Sequence, residues 1–239
     1  MSTDQLYAQP QQNLHHFTFD EQVAAVFPDM IQRSVPGYTS ILQGLSLITA
    51  TYAQPDTQLY DLGCSLGAAS IAMAQGIQQP GCRIIAVDQS AAMLARAKTV
   101  LANHNIPIEL IKNDISTQSI EQASIVVLNF TLQFVPIEQR LTVLSTIRKG
   151  LRPGGILVLS EKIAGANPAE EAELIALHHA YKRANAYSDL EISQKRTALE
   201  QVMIPESCQV HEERLQAAGY QRSLRWQQQM NFVSWIAHA

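Results

Sequence analysis

The sequence has little of several features that define broad classes of protein. It carries three cysteines in 239 residues, an odd number without the spacing of a disulfide framework, which indicates reduced thiols and a cytoplasmic protein. It has no basic excess, because 17 Lys and Arg stand against 21 Asp and Glu for a net charge of −4. Proteins that hold RNA or DNA by its phosphates usually have such an excess, so direct nucleic-acid binding is disfavoured.

The chain also has no apolar run long enough to cross a bilayer, so we expect no membrane partner. Residues 1–16 lack the basic start and the apolar stretch of a signal peptide. They are polar and rich in Gln, and we predict a disordered tail there. His15 and His16 have no matching pair of ligands at a useful spacing, so no metal site is predicted.

The sequence does contain an alternation of short apolar runs with longer helical patterns. The apolar runs predict five strands, over 58–62, 83–87, 108–112, 125–129 and 156–160. Between them we predict helices over 66–78, from Ser90 as N-cap to about 103, and over 136–151, with a turn at 152–155. Such alternation is typical of a parallel, doubly wound α/β sheet.

Helices are predicted on both sides of the alternating region. A capping box of Thr18 and Glu21 predicts a helix to about Arg33, and a second helix runs over 38–52. The last part is predicted to hold helices over 167–185, over 188–203 and up to Gly219, then an edge hairpin of strands 221–228 and 231–237. The fold class is therefore α/β, a mostly parallel doubly wound sheet with a C-terminal antiparallel hairpin. We expect one domain over 17–239, with a helical N-terminal cap and a helical insertion at about 162–204.

The first strand leads into a Gly-rich turn, and its spacing selects between two classes of ligand. Dinucleotide enzymes use G-x-G-x-x-G at such a turn and place a pyrophosphate on the helix N-terminus. Here the spacing is Gly63-x-x-x-Gly67, and Asp61 precedes it by two residues. A carboxylate would repel a pyrophosphate but suits the amino group and sulfonium of S-adenosylmethionine (SAM). Cys64 lies in this turn without a base nearby in sequence, so we favour a small residue near the ligand over a nucleophile.

Polar residues also follow the later strands, and the carboxyl ends of parallel strands meet at one edge of a sheet. Asp88 lies 21 residues beyond Gly67 and can accept two hydrogen bonds from ribose hydroxyls. Asp114 can accept from an adenine amino group, with Ile115 against the ring. Asn129 ends the fourth strand. Each acid alone is more often a turn or capping residue, but three at successive strand ends indicate a ligand site.

These features resemble the class I SAM-dependent methyltransferases over roughly residues 55–160. The matching motifs are D-x-G-x-S-x-G at the turn, the acid after strand 2, and Leu151-Arg-Pro-Gly-Gly155. A more extensive similarity, from about Phe17 to the C-terminus, is to the carboxy-S-adenosylmethionine (carboxy-SAM) synthase family. Four segments carry it: FDEQVAAVFPDMIQRSVPGY at 19–38, YDLGCSLGAAS at 60–70, VVLNFTLQF at 126–134 and HHAYKRANAYSDLEISQKR at 178–196. The last segment is the most specific, because generic methyltransferases do not share it.

The resemblance implies an activity, a set of ligand contacts and partners. The family converts SAM and prephenate into carboxy-SAM and phenylpyruvate, and supplies a second enzyme that carboxymethylates the wobble uridine of tRNA. It implies a homodimer without a metal, and ligand contacts by Tyr38, Gly63, Cys64, Ser65, Asp88, Gln89, Asp114, Ile115, Asn129 and Arg196. Gln89 departs from the shorter amide that the resemblance leads us to expect.

Arg196 is the residue that the resemblance places at the chemistry. A guanidinium near the methyl of SAM would repel the sulfonium, whereas it pairs bidentately with a carboxylate added to that methyl. By spacing alone, Arg196 is a solvated helix residue. Lys182 and Arg183 either attract the carboxylates of prephenate or are exposed residues on a helix surface, and both interpretations stay open. For His178 and His179, packed or exposed side chains are favoured over a base or metal ligand.

Other functions are compatible with the SAM-binding motifs. The first is an ordinary methyltransferase that acts on a small molecule. The second is an RNA methyltransferase, which the net charge of −4 disfavours. The third is a non-catalytic SAM-binding subunit of the tRNA-modifying enzyme. The complete set of polar residues at the strand ends disfavours this third function, and the long similarity to the carboxy-SAM synthase family favours the synthase over all three.

Overall fold

A computed structural model describes residues 3–11, 16–102 and 107–239 of the chain. Within these ranges a single sheet runs through the molecule in the order β3-β2-β1-β4-β5-β7-β6. Its strands are β1 (Gln58–Leu62), β2 (Arg83–Asp88), β3 (Ile108–Lys112), β4 (Ala123–Asn129), β5 (Leu151–Lys162), β6 (Arg222–Gln229) and β7 (Phe232–His238). The first five strands are parallel, and β7 pairs antiparallel with β5 and β6. The predicted fold class, including the edge hairpin, is confirmed.

The helices lie between and around the strands. They are α1 (Glu21–Ser34), α2 (Tyr38–Tyr52), α3 (Ala68–Gly76), α4 (Ala91–Leu101), α5 (Ile137–Gly150), α6 (Pro168–Ala184), α7 (Asp189–Leu199) and α8 (Cys208–Ala217). Two predicted helices are shorter than expected: α3 begins only after Gly67, whose φ is +86°, and α7 ends at Leu199 rather than near 203. Among the described helices, none combines the length and hydropathy that a bilayer-spanning segment requires.

The core lies on both faces of the sheet, as expected for a doubly wound fold. On β4, Val126 and Leu128 pack into one apolar cluster, while Ile125 and Val127 pack into another. All four side chains are essentially inaccessible to water, because helices cover both faces. Burying each such side chain contributes about 1.5–3 kcal/mol to the free energy of unfolding. This core fixes the carboxyl ends of the central strands relative to one another.

Two local predictions are wrong. The N-cap of α1 is Asp20 rather than Thr18, because the Asp20 carboxylate accepts from the Val23 N–H at 2.9 Å. A carboxylate also suits the positive end of the helix dipole. The predicted turn at 152–155 is instead part of β5, which already begins at Leu151. Leu151 pairs with Ala123 of β4, and the irregular stretch is absorbed as a register shift with Gly154 at φ +76°.

The described part of the N-terminal segment, residues 3–11, differs from the solvated tail that its composition predicts. Asp4 is 2% exposed, and its carboxylate accepts from the Tyr187 hydroxyl and lies 3.4 Å from the Lys195 ammonium. Gln11 and the backbone of Tyr7 bond to the Gln194 side chain. Composition missed this because one buried ion pair holds an otherwise polar segment. His15 lies outside the described residues.

Candidate active site

The carboxyl ends of the parallel strands open into a cavity of about 690 Å³ beneath α1, α2, α6 and α7. This volume falls in the usual range for small-molecule sites. All ten residues that the family resemblance singled out line it, namely Tyr38, Gly63, Cys64, Ser65, Asp88, Gln89, Asp114, Ile115, Asn129 and Arg196. They come from six segments of the chain, so the fold brings together what the sequence separates.

The Gly-rich turn after β1 is shaped by backbone bonds to the neighbouring strand. The N–H groups of Gly63 and Cys64 both donate to the Val87 carbonyl, at 2.8 and 3.0 Å. Gly63 has φ +79°, and a Cβ atom there would come within 2.4 Å of the Thr131 side chain. Ser65 also has a positive φ, +49°. Such backbone strain in a non-glycine residue is often found at ligand sites.

Asp61 lies at the base of the turn and is almost completely buried. Its carboxylate accepts from the Ser70 hydroxyl at 2.6 Å. Burial raises its pKa to about 6, more than the Ser70 bonds lower it. Because the group still borders the cavity, a cationic ligand group nearby would restore the charged form.

Asp88 fixes the turn from the next strand. One carboxylate oxygen accepts from the Ser65 N–H and the other from the Ser90 N–H, both at 2.8 Å. Each oxygen keeps a further acceptor position, so the side chain can still bind hydroxyl groups in the cavity. Burial raises the pKa of Asp88, against the opposing effect of these backbone bonds.

The ends of β3 and β4 contribute further acceptors. Asp114 is exposed and uses one oxygen to accept from the Ser116 N–H at 2.8 Å. Asn129 places its Oδ1 atom in a buried position where no described residue donates to it. An orphaned buried acceptor costs free energy unless a ligand or water pairs with it. The next residue, Phe130, has φ +61°, so the chain turns sharply at this point.

A buried carboxylate, Glu161, supports this turn from β5. It accepts from the N–H groups of Leu132 and Gln133, both at 2.9 Å. Burial raises its pKa to about 8, although these bonds and the nearby Arg140 oppose the shift. Glu161 therefore holds the segment after Asn129 in place.

The described structure gives Cys64 no features of a nucleophile. The thiol is buried, and this burial is the main cause of its raised pKa. The negative charges of the nearby Asp61 and Asp88 raise the pKa further. All three cysteines are unpaired. Within residues 3–11, 16–102 and 107–239, no group of three or more His, Cys, Asp or Glu side chains is arranged to hold a metal ion.

The opposite wall of the cavity carries cations. Lys162 is the last residue of β5, Lys182 lies on α6, and Lys195 and Arg196 lie on α7. Lys182 and Lys195 are 8% and 5% exposed. Burial lowers the pKa of Lys182 to about 7 and of Lys195 to about 8, and it lowers that of Lys162 as well.

The two histidines of α6 also border this wall. His178 is buried, with its Nε2 atom 2.8 Å from the Ser34 carbonyl and its ring edge-on to Phe232. Burial lowers its pKa to about 3, so it is neutral and serves as a packed donor. His179 is half-buried, and burial together with the nearby cations lowers its pKa.

Comparison with known proteins agrees with this geometry. Residues 59–155 match a family model described as a methyltransferase domain. Proteins named carboxy-S-adenosyl-L-methionine synthase are 56% identical in Geobacter sp. (strain M21) and Trichlorobacter lovleyi, over 98% of this chain and 98% of each relative. One from Pseudomonas aeruginosa is 49% identical over the same shares. The chain belongs to the carboxy-S-adenosyl-L-methionine synthase family.

Solved structures of other proteins have a similar fold, although their sequences are much less similar to this chain. Human N-acetylserotonin methyltransferase in complex with SAM is 14% identical, with a TM-score of 0.62 over 91% of this chain and 55% of its own. A SAM-dependent methyltransferase of Leishmania major is 12% identical, with a TM-score of 0.62 over 93% and 79%. This chain thus spans little more than half of the human enzyme's length. The similarity establishes a class I methyltransferase fold.

The structure shows that Lys182 and Arg183 of this carboxy-SAM synthase family member have different environments. Lys182 is buried and lines the cavity, whereas Arg183 is exposed and pairs with Asp189 at 2.7 Å. Sequence analysis missed Lys162 and Lys195. Lys162 is the last residue of β5, as Asn129 is of β4, so its position at a strand end was a usable signal. Lys195 gave none, because its partner Asp4 lies 191 residues away.

Proposed function

We propose that this protein converts SAM and prephenate into carboxy-SAM and phenylpyruvate. One observation carries the proposal: the charge of the strand-end residues changes sign along the edge of the sheet. In the spatial order β3, β2, β1, β4, β5 these residues are Asp114, Asp88, Asp61, Asn129 and Lys162. We call Asp61, Asp88 and Asp114 the acidic side of the cavity, and Lys162, Lys182, Lys195 and Arg196 the cationic side.

The acidic side suits SAM, which is cationic at its sulfonium and amino groups. Asp114 and Ile115 would hold the adenine, Asp88 and Gln89 the ribose, and Asp61 would favour the positive methionyl end. Tyr38 is buried at the start of α2 and borders the same space. The methyl group would then point along the sheet edge towards Asn129 and the cationic side.

The cationic side suits a substrate with two negative charges, as prephenate has. Loss of its ring carboxylate as CO₂ and of its hydroxyl as hydroxide leaves phenylpyruvate. A proton leaves the SAM methyl, and the resulting carbon forms a bond to CO₂. The hydroxide takes up that proton as water, so atoms and charges balance without a protein base.

We assign Arg196 to the carboxylate that this reaction creates. Arg196 is exposed in the last turn of α7 and borders the cavity next to the buried lysines. Its guanidinium can pair bidentately with the new carboxymethyl group, an interaction that SAM itself cannot make. Arg196 would therefore favour the product over the starting cofactor.

The alternatives differ in what the acidic and cationic sides would do. A small-molecule methyltransferase or a non-catalytic SAM-binding subunit needs the acidic side alone. Neither function requires buried lysines in the same cavity, which is why we favour the synthase. The proposal has three further parts, which the family resemblance supports. The protein supplies an enzyme that carboxymethylates tRNA, it forms a homodimer, and it is located in the cytoplasm.

Mass spectrometry of the nucleoside products tests the proposal. The full-length protein is incubated with SAM, alone or with prephenate or phenylpyruvate. We expect a product with the mass of SAM plus one CO₂ only when prephenate is present. S-adenosylhomocysteine as the product would instead indicate a methyltransferase, and bound but unchanged SAM in every reaction would indicate a non-catalytic subunit.

A further inference from the structure

The cationic side contains more positive charge than the described residues neutralise. Asp4 pairs with Lys195. Glu171 lies near Lys162 and raises the pKa of that lysine, but its carboxylate accepts from the Gly165 N–H. Within the described ranges, no carboxylate lies within 4 Å of the ammonium of Lys162 or Lys182, although Asp4 is near enough to Lys182 to raise its pKa.

Burial makes this arrangement costly. Lys182 is 8% exposed and Lys162 is half-buried. A buried ammonium without a counterion loses solvation that nothing in the protein returns. Lys195, on the adjoining helix, shows what a structural lysine looks like here, because it has both Asp4 and the Ser34 hydroxyl as acceptors.

Lys162 and Lys182 also lie in the part of the cavity that the proposed function leaves for the second substrate. Lys162 extends from β5, two strands away from the Gly-rich turn of β1. Neighbouring strands are about 4.8 Å apart, so the two positions are separated by about 10 Å. Apolar side chains also border this cavity, among them Val35, Ile175 and Phe232, and Phe232 pairs with Lys162 across β5 and β7. The combination suits a ring that carries a carboxylate.

We propose that Lys162 and Lys182 form a subsite for the carboxylate that the second substrate keeps, the one on its three-carbon side chain. This inference rests on the proposed function. The lysines are distinct from Arg196, which is assigned to the carboxylate of the new cofactor.

The chemistry decides which of the two carboxylates binds there. Decarboxylation moves negative charge out of the departing carboxylate and releases neutral CO₂. An ammonium on that group would stabilise the ground state more than the transition state and would slow the reaction. A carboxylate that stays charged throughout can be held by lysines without this penalty. The lysines thus anchor the side chain, and the departing carboxylate is left facing the SAM methyl.

The test uses phenylpyruvate, which has only the retained carboxylate, and its methyl ester, which has the same ring and no charge. Binding of each to the SAM-saturated full-length protein is measured by calorimetry. In Lys162→Met and Lys182→Met, we expect phenylpyruvate to bind about 10–100-fold more weakly, as for the loss of one charge-assisted hydrogen bond. Binding of the methyl ester should change less than threefold. The control is Arg183→Met, which removes an exposed charge next to Lys182 and should change neither.

Equal losses for the acid and the ester, or unchanged binding of the acid, would overturn the subsite. Thermal unfolding of each variant is measured in parallel, and a variant that unfolds is replaced by Lys→Gln at the same position. Failure of the proposed function is a separate result. If lysine-dependent phenylpyruvate binding occurs but prephenate yields no carboxy-SAM, the subsite stands and the proposed reaction does not. If both lysine variants make carboxy-SAM with wild-type KM for prephenate, the reaction stands and the subsite does not.

Discussion

The two sides of the cavity are built from different kinds of contact. On the acidic side, each carboxylate accepts hydrogen bonds from the helix or turn that follows its own strand or from the turn beside it: Asp61 from Ser70 in α3, Asp88 from Ser65 and Ser90, and Asp114 from Ser116. On the cationic side, residues from β5, α6, α7 and the N-terminal segment meet across long sequence distances. The acidic side is thus preformed by local structure, whereas the cationic side depends on how the helices close over the sheet.

The largest effect is expected from removing the carboxylate that pairs with Lys195 on the cationic side. Asp4→Ala leaves the buried Lys195 ammonium without its carboxylate and the Tyr187 hydroxyl without its acceptor. Breaking a buried pair in this way costs about 3–5 kcal/mol in the free energy of unfolding. Urea unfolding at pH 7 measures it. The double variant Asp4→Ala/Lys195→Met should regain most of the loss, and a double variant as unstable as the single one would show that Asp4 acts otherwise.

On the acidic side, Asp88→Ala should strongly weaken the binding of SAM. The proposal gives Asp88 two hydrogen bonds to ribose hydroxyls, each worth about 1.5–3 kcal/mol because the acceptor is charged. We therefore expect SAM affinity to fall about 100–10,000-fold, measured by calorimetry. Asp114→Ala is the matched variant, since that carboxylate is exposed and should cost no more than about tenfold. Equal losses in the two variants would contradict the assigned roles.

Arg196→Ala tests whether the two sides recognise different parts of one cofactor. The guanidinium is assigned to the carboxylate of carboxy-SAM, a group that SAM lacks. Affinity for carboxy-SAM should fall about 10–100-fold, as for a charge-assisted hydrogen bond, while affinity for SAM should change less than threefold. Competition binding measures both, with Arg183→Met as control. Parallel losses for the two ligands would mean that Arg196 stabilises α7 rather than binding a carboxylate.

The same contrast explains how far the sequence predicts this site. The strands, the Gly-rich turn and the acids at strand ends follow from periodicity and local turn chemistry, so Asp88 and Asp114 could be found as ligand candidates. Burial on the cationic side depends on tertiary packing, so neither the difference between Lys182 and Arg183 nor the role of Asp4 could be found. The predicted N-cap of α1 is wrong for a local reason. Thr18 and Asp20 are both residue types that cap helices well, and the helix begins after Asp20.

The smallest effect is expected for the stability of Lys182→Met. The sign of the change in its free energy of unfolding distinguishes a lysine kept for function from one that supports the fold. The folded-state pKa of Lys182, about 7, lies below the ordinary value near 10.4. The unfolded chain therefore binds more protons between these values, and the stability contributed by this group rises with pH across that window. Below about pH 7 the full penalty of the buried charge remains. Lys182→Met removes it, so the variant should be more stable than the wild type by about 1–2 kcal/mol at pH 6 and by much less at pH 10.

Urea unfolding of both proteins at pH 6, 8 and 10 measures this difference. The titratable groups that interact with Lys182 are Lys162 on β5, Lys195 on α7, Asp4 in the N-terminal segment, and His178 and His179 on its own helix. Lys195 titrates in the same window and is present in both proteins, so the difference contains only its charge interaction with Lys182. A gain in stability together with weaker phenylpyruvate binding is the pattern of a residue kept for function. A variant that is less stable at every pH would instead show that Lys182 supports the fold, because its loss would then remove packing that the charge does not offset.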